Sequence, residues 1–192
     1  VDTGEIDHVA LLLSADGGSE TMQLYIGEKG KDPNGNPSND FLARNGLAYG
    51  SYYYLNDVLP GSGTSTNGTF DTTILGALAS AKLEDIDTSP SDPTQVVLGD
   101  QSGTSDAGLF TFDFDLDFSG GSFSAAGSGF SVTKIQNHVN DTNNAFGDAD
   151  NVDWTGPTVL GGKSYPDGVI FVNEDTGTNA GEIWMSSPLG VT

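Results

Sequence analysis

The sequence has no cysteine in its 192 residues, and it has few basic residues, with Lys+Arg at 6 and His at 2. Without cysteine the chain forms neither a disulfide framework nor a thiolate metal site. Asp+Glu at 27 gives a formal net charge of −21, which repels nucleic acid and anionic membranes and attracts divalent cations. No apolar run reaches the roughly 18 residues of a membrane-spanning helix. We therefore expect no nucleic-acid or membrane partner.

Short apolar runs are spread evenly along the chain between clusters of Gly, Asn, Asp, Ser and Pro. The runs that favour strands are HVALLL, LAYGSYYYL, TQVVLG, GVIFVN and GEIWM. They recur about every ten to fifteen residues, a spacing typical of sandwiches, barrels and propellers. Only residues 71–85 favour a short helix or turn, and Gly76 weakens the helix there. The sequence therefore predicts an all-β fold.

The stretch LFTFDFDLDF alternates apolar and polar residues. Because successive strand side chains point to opposite faces, Asp113, Asp115 and Asp117 share one face of a half-buried strand. Neighbours on that face are roughly 6.5–7 Å apart, whereas Ca²⁺ needs its oxygens at about 2.3–2.6 Å. The three carboxylates therefore favour a solvated face over a metal site.

Two long segments resemble each other, Leu83 to Phe112 and Ala149 to Ser186. Each has an acidic strand start, then a turn, a buried strand and an amphipathic strand, and Glu84 aligns with Asp150 at an offset of 66. Repeats of four short strands are typical of propeller blades. We predict one β-propeller-like domain over 1–192, with about three antiparallel four-stranded blades near 5–60, 83–135 and 148–192. A partial propeller of this kind needs to self-associate or to pair with the rest of a propeller, because an open arc exposes sheet edges.

Several motifs, in order, resemble the PhoX-type alkaline phosphatase family of secreted bacterial proteins. They are GEIDHVALLLS, LYIGEKG with NGLAYGSYYYL, KLEDIDTSP, ADNVDW, and GVIFVNEDTG with GEIWM. The resemblance implies a six-bladed propeller with an axial calcium and iron (Ca²⁺ and Fe³⁺) cluster that hydrolyses phosphate monoesters, in a secreted or periplasmic bacterial protein. The chains of that family are several times longer.

The resemblance also implies roles for five residues. Lys82 stands where the family has an arginine that contacts phosphate, and Glu84 and Asp85 match metal-binding acids. Asp150 and Asn151 match the family's Asp-Asn strand start, which supplies a carboxylate ligand. The family's metal-binding cysteine has no counterpart here, and lysine lacks the two-pronged grip of arginine on phosphate.

Chemistry supports a metal site near Glu84 and Asp150 independently of the family. Strand starts of successive blades converge on a propeller axis, and oxygen ligands without cysteine favour Ca²⁺ or Mg²⁺ over zinc. The alternative is that these acids cap turns and face water. Weaker candidates are a calcium loop or plain turn over 140–153, the isolated His8 and His138, and the Glu174-Asp175 pair as axial groups or surface charge.

Two functions follow from these observations. The first is a fragment of, or a module related to, a metal-dependent phosphomonoesterase acting on a small phosphate ester. The second is a non-catalytic acidic calcium-binding β-module, or a stable proteolytic remnant. The missing cysteine favours the second for this chain, and the resemblance favours the first for the parent protein.

Overall fold

The computed structural model describes residues 7–14, 21–57, 60–61, 63–74, 76–78, 82–101, 108–137, 149–174 and 183–188. Strands make up 54% of the structure and helix 3%, which confirms the all-β prediction. Each of the five apolar runs quoted above contributes to a strand. Within the described ranges no helix is both long and apolar enough to cross a membrane.

Thirteen strands and one short helix are found in the described residues. They are β1 (His8–Leu13), β2 (Gln23–Glu28), α1 (Phe41–Arg44), β3 (Ser51–Asn56), β4 (Ser65–Asp71), β5 (Leu83–Thr88), β6 (Gln95–Asp100), β7 (Gly108–Asp115), β8 (Gly129–Asn137), β9 (Ala149–Trp154), β10 (Thr158–Leu160), β11 (Lys163–Tyr165), β12 (Ile170–Glu174) and β13 (Ile183–Ser186).

Eight strands form one antiparallel sheet in the order β1-β2-β3-β4-β8-β7-β6-β5. This sheet is nearly closed, so that Ala10 from one edge strand and Leu83 from the other belong to the same core. Phe110, Phe112 and Phe114 of β7 point into that core because alternate strand residues face the same side. The interior of the large sheet is therefore rich in aromatic rings.

The face of β7 that points away from this core, its outer face, has an exposed part and a buried part. Asp113 and Asp115 are exposed, as the alternation in the sequence predicts. Leu109, at the start of the same strand, is fully buried. Asp117 follows the strand and accepts the backbone N–H of Ser119 at 2.8 Å, a bond that holds the pKa of Asp117 below its ordinary value. The acids of this stretch therefore face solvent or shape a turn.

A second layer covers the outer face of β6, β7 and β8. It is a three-stranded sheet in the order β13-β12-β9, and β10 and β11 form a separate hairpin. The two layers share a second hydrophobic core, made of Val97, Leu109 and Ile135 from the large sheet and Ala149, Val152, Trp154, Ile170 and Val172 from the small one. This second core explains why Leu109 is buried.

The strand pairing leaves the predicted division into blades unconfirmed. Strands β1–β4 and β5–β8 are each four consecutive antiparallel strands, but β4 pairs with β8, so that both groups belong to one sheet. In a propeller each blade is a separate sheet. The described strands therefore do not confirm blades or a count of three.

Helix α1 is absent from the predictions, although its cap is readable in the sequence. The Asp40 carboxylate accepts the backbone N–H groups of Leu42 and Ala43 at 3.0 and 3.1 Å, the bonding expected of an N-cap. The described part of 71–85 contains turns and strand residues, and a bridge joins Ala77 to Asn56. Gly76 has φ of 76°, a left-handed conformation that interrupts a helix.

Candidate metal site at two paired strand irregularities

Strand β5 contains a two-against-one irregularity at its acidic start. Leu83 pairs with Asp100 and Ile86 pairs with Leu98, which leaves Glu84 and Asp85 opposite a single residue of β6. Such a β-bulge bends the strand and changes the direction of its side chains. The bulge therefore takes these two acids out of the regular alternation of β5.

Strand β9 contains the same irregularity at the matching place. Ala149 pairs with Glu174 and Val152 pairs with Val172, so that Asp150 and Asn151 stand opposite a single residue of β12. The sequence alignment of Glu84 with Asp150 is thus matched by a shared local geometry. The two similar segments are structural equivalents at their starts.

The two bulges lie against each other. Gly99 is the β6 residue opposite Glu84 and Asp85, and a Cβ added to it would lie 3.3 Å from both the carbonyl oxygen of Ala149 and Cγ1 of Val152. A larger residue at position 99 would therefore push against β9. This close approach brings the two acidic strand starts together.

Two carboxylates of β5 hold β9 in place. Oδ2 of Asp85 accepts the backbone N–H of Val152 at 3.1 Å, and Oδ2 of Asp87 accepts that of Trp154 at 2.7 Å. Strand β9 is an edge of the small sheet, and the outward N–H groups of an edge strand need partners when they are covered. Asp85 and Asp87 thus join the two sheets.

The remaining predicted site residues form two local pairs. The Lys82 ammonium makes an ion pair with Oε1 of Glu84 and also donates to Oε1 of Gln101. On β9, the amide of Asn151 donates to Oδ2 of Asp150 at 2.7 Å. Each predicted residue therefore has a partner, and the structure brings Asp85 into direct contact with β9.

The donor set suits a hard cation, although the carboxylates are not gathered into a cage. Glu84, Asp85, Asp150 and Asn151 offer only oxygen ligands in their side chains, apart from one amide nitrogen, and oxygen is the ligand of Ca²⁺. No group of three or more His, Asp or Glu side chains with metal-binding geometry occurs in the described ranges. Lys82 also neutralises Glu84, so a metal ion at Glu84 would compete with an ammonium.

Two buried acids lie near the bulges. Glu174 was a weaker axial candidate together with Asp175, which lies outside the described residues, and Asp100 was not predicted. Asp100 is 1% exposed and Glu174 is 9% exposed, and they pair with Leu83 and Ala149, the residues that precede each bulge. Ionised carboxylates are rarely buried without compensation. The signal in the sequence was the acid that ends both VVLGD and IFVNE.

The weaker candidates have mixed outcomes. The ring of His8 lies 4.8 Å from that of Phe118 at 45°, a packing contact at the start of β1. His138 and most of the proposed calcium loop, residues 140–148, lie outside the described residues. His8 is therefore a packing residue of β1 rather than part of the bulges.

No protein-family model matches the chain, and neither the curated proteins nor the solved structures contain a significant match. The resemblance to the PhoX-type family therefore rests on the short motifs alone.

Proposed function

We propose that this chain is an acidic calcium-binding β-module whose ion binds beside the paired bulges. The observation that carries the proposal is the close packing of the two equivalent bulges, where Gly99, opposite Glu84 and Asp85, lies against Ala149 and Val152. Glu84 and Asp150 supply carboxylate ligands, and Asp85 and Asn151 support them. A cation at this place binds both sheets at once and therefore stabilises their contact.

Charge supports the same proposal. A net charge of −21 makes the compact state repel itself, and bound divalent cations reduce that repulsion. Within the site itself, Lys82 is paired with Glu84. Its ammonium therefore competes with the ion for that carboxylate.

Calcium should raise the melting temperature of the chain. An ion that binds only the folded state adds RT ln(1 + [L]/Kd), about 2.7 kcal/mol at a hundred times Kd, which is roughly 5–10 °C for a chain of this size. The measurement compares melting in excess EDTA with melting in millimolar CaCl₂, with MgCl₂ as the control for charge screening.

Substitutions at the proposed ligands test where the ion binds. Glu84→Gln and Asp150→Asn keep the shapes of the side chains but remove ligand charge, so each should abolish most of the calcium-dependent shift. Lys82→Met removes the competing ammonium and should enlarge the shift. The matched control is Asp115→Asn on the solvent face of β7, which should keep the full shift. Loss of the shift in Asp115→Asn alone would move the site to β7.

A second function is favoured by one observation, the position of Lys82. The resemblance implies a basic residue that contacts phosphate next to a metal-bound Glu, and Lys82 lies against Glu84. We propose on this basis that the parent protein is a secreted or periplasmic phosphomonoesterase and that this chain supplies part of its site. The same proposal includes the propeller blades and the iron ion that the resemblance implies. In that reaction bound metal supplies charge stabilisation, while Lys82 orients the phosphate.

This second function predicts calcium-dependent phosphate binding. Inorganic phosphate should bind the chain in CaCl₂ and not in EDTA, because bound cations must offset the acidic surface, and Lys82→Met should weaken that binding. Turnover of p-nitrophenyl phosphate should stay near background even with Ca²⁺ and Fe³⁺, since a misplacement of about 1 Å can cost roughly a hundredfold in rate. Isothermal titration calorimetry measures the binding. Phosphate binding of equal strength in EDTA would contradict this function.

A further inference from the structure

A cleft of about 510 Å³ opens between the two sheets. Its floor is the outer face of the large sheet, where Gln95, Thr111 and Thr133 lie on neighbouring strands β6, β7 and β8. Trp154 and Asp167 form part of its walls. Gln95 and Trp154 stand at the ends of β6 and β9 that are remote from the bulges, so that the cleft is separate from the proposed calcium site.

Three polar side chains in the cleft are available to a ligand. The Thr133 hydroxyl is hydrogen-bonded to the Ser65 hydroxyl at 2.6 Å. By contrast, among the described residues the side chains of Gln95, Thr111 and Asp167 have no hydrogen-bond partner. They belong to different elements, and all three line one cleft. Polar groups that converge on a concave surface are the usual means of orienting a small ligand.

The lining determines the charge of the ligand. It contains the carboxylates of Asp92 and Asp167 but no lysine or arginine among the described residues, so an anion is repelled. Oδ1 of Asp92 already accepts both the N–H and the hydroxyl of Thr94, at 3.1 and 2.6 Å. A positively charged amine offers only donors, so it would use the remaining acceptors and leave the amide donors of Gln95 unused by the ligand.

The mixture of groups fits a hydroxyl-rich ligand. Hydroxyls both donate and accept, which matches the amide of Gln95, the hydroxyl of Thr111 and the carboxylate of Asp167. Exposed Pro166 adds apolar surface to the same lining, which suits the C–H face of a sugar ring. The volume lies within the range of about 300–1,000 Å³ typical of small-molecule sites. We propose that the cleft binds a neutral saccharide.

An NMR titration of the full chain with cellobiose tests this proposal. The indole N–H of Trp154 donates to the carbonyl oxygen of Asp167 at 3.0 Å, so that its resonance reports directly on the cleft. Cellobiose should shift that resonance in a saturable way. Glucuronate, the anionic probe, and spermidine, the cationic probe, should leave it unchanged at equal concentration. The titration is run in EDTA, so that its outcome is independent of calcium binding.

Substitutions on the floor of the cleft provide the second arm. The double variant Gln95→Leu with Thr111→Val removes two hydrogen-bonding groups at similar volume and should weaken cellobiose binding at least about tenfold. The matched control Thr69→Val alters an exposed threonine of β4 outside the cleft and should change nothing. Circular dichroism melting checks that all variants fold. Spermidine binding more tightly than cellobiose, no saturable shift with cellobiose, or an unchanged affinity in the double variant would each overturn the proposal.

Discussion

Replacing Trp154 by alanine should lower the free energy of unfolding by about 3–5 kcal/mol, the range for truncating a buried aromatic side chain. Trp154 is 3% exposed and belongs to the core between the two sheets. Its indole N–H donates to Asp167, and its backbone N–H donates to Asp87. The truncation removes both the packing and the indole hydrogen bond, and it leaves a cavity between the layers.

Urea denaturation followed by circular dichroism measures this loss. The matched control is Trp184→Ala, because Trp184 packs against the same core but is only partly buried. The smaller area that it removes from water predicts a loss below about 2 kcal/mol. Equal losses for the two tryptophans would contradict the view that Trp154 anchors the second layer.

Replacing Phe112 by alanine should also cost about 3–5 kcal/mol, from the core inside the large sheet. Phe112 is 1% exposed, and its ring centroid lies 5.9 Å from that of Phe114 and 6.1 Å from that of Phe130. Pairs of rings at these distances add to the stabilisation from burial alone. The same urea denaturation measures the effect.

The matched control for Phe112 is another phenylalanine. Phe41 in helix α1 is 71% exposed, and surface substitutions usually change stability by less than about 0.5 kcal/mol. Phe41→Ala should therefore leave the midpoint almost unchanged. A large loss in Phe41→Ala, or a small one in Phe112→Ala, would show that the aromatic core is placed wrongly.

The alternation in LFTFDFDLDF was sufficient to predict the two faces of β7. Phe110, Phe112 and Phe114 are buried, and Asp113 and Asp115 are exposed, because side chains on a strand alternate whatever the fold. The burial of Leu109 was not predictable in this way. It depends on a second sheet that begins 40 residues later in the sequence, at Ala149.

The candidate site was also predicted only in part. The alignment of Glu84 with Asp150 identified two strand starts that prove to have the same bulge. The sequence did not identify Asp100 or the burial of Glu174, because both depend on the strands that pair with these residues in the folded chain. It also could not show that Lys82 pairs with Glu84, or that Asp85 and Asp87 bond to the backbone of β9.

The sequence by itself determined the strand character of the chain, the polar and apolar faces of β7 and the similarity of the two acidic segments, since each depends on local period and spacing. Only the tertiary structure decided that β4 pairs with β8 and that the bulges meet at Gly99. The physical reason is that backbone hydrogen bonds between strands are alike in any pairing, so local pattern does not select the partner strand. Partner choice depends on how the whole set of apolar faces is buried together.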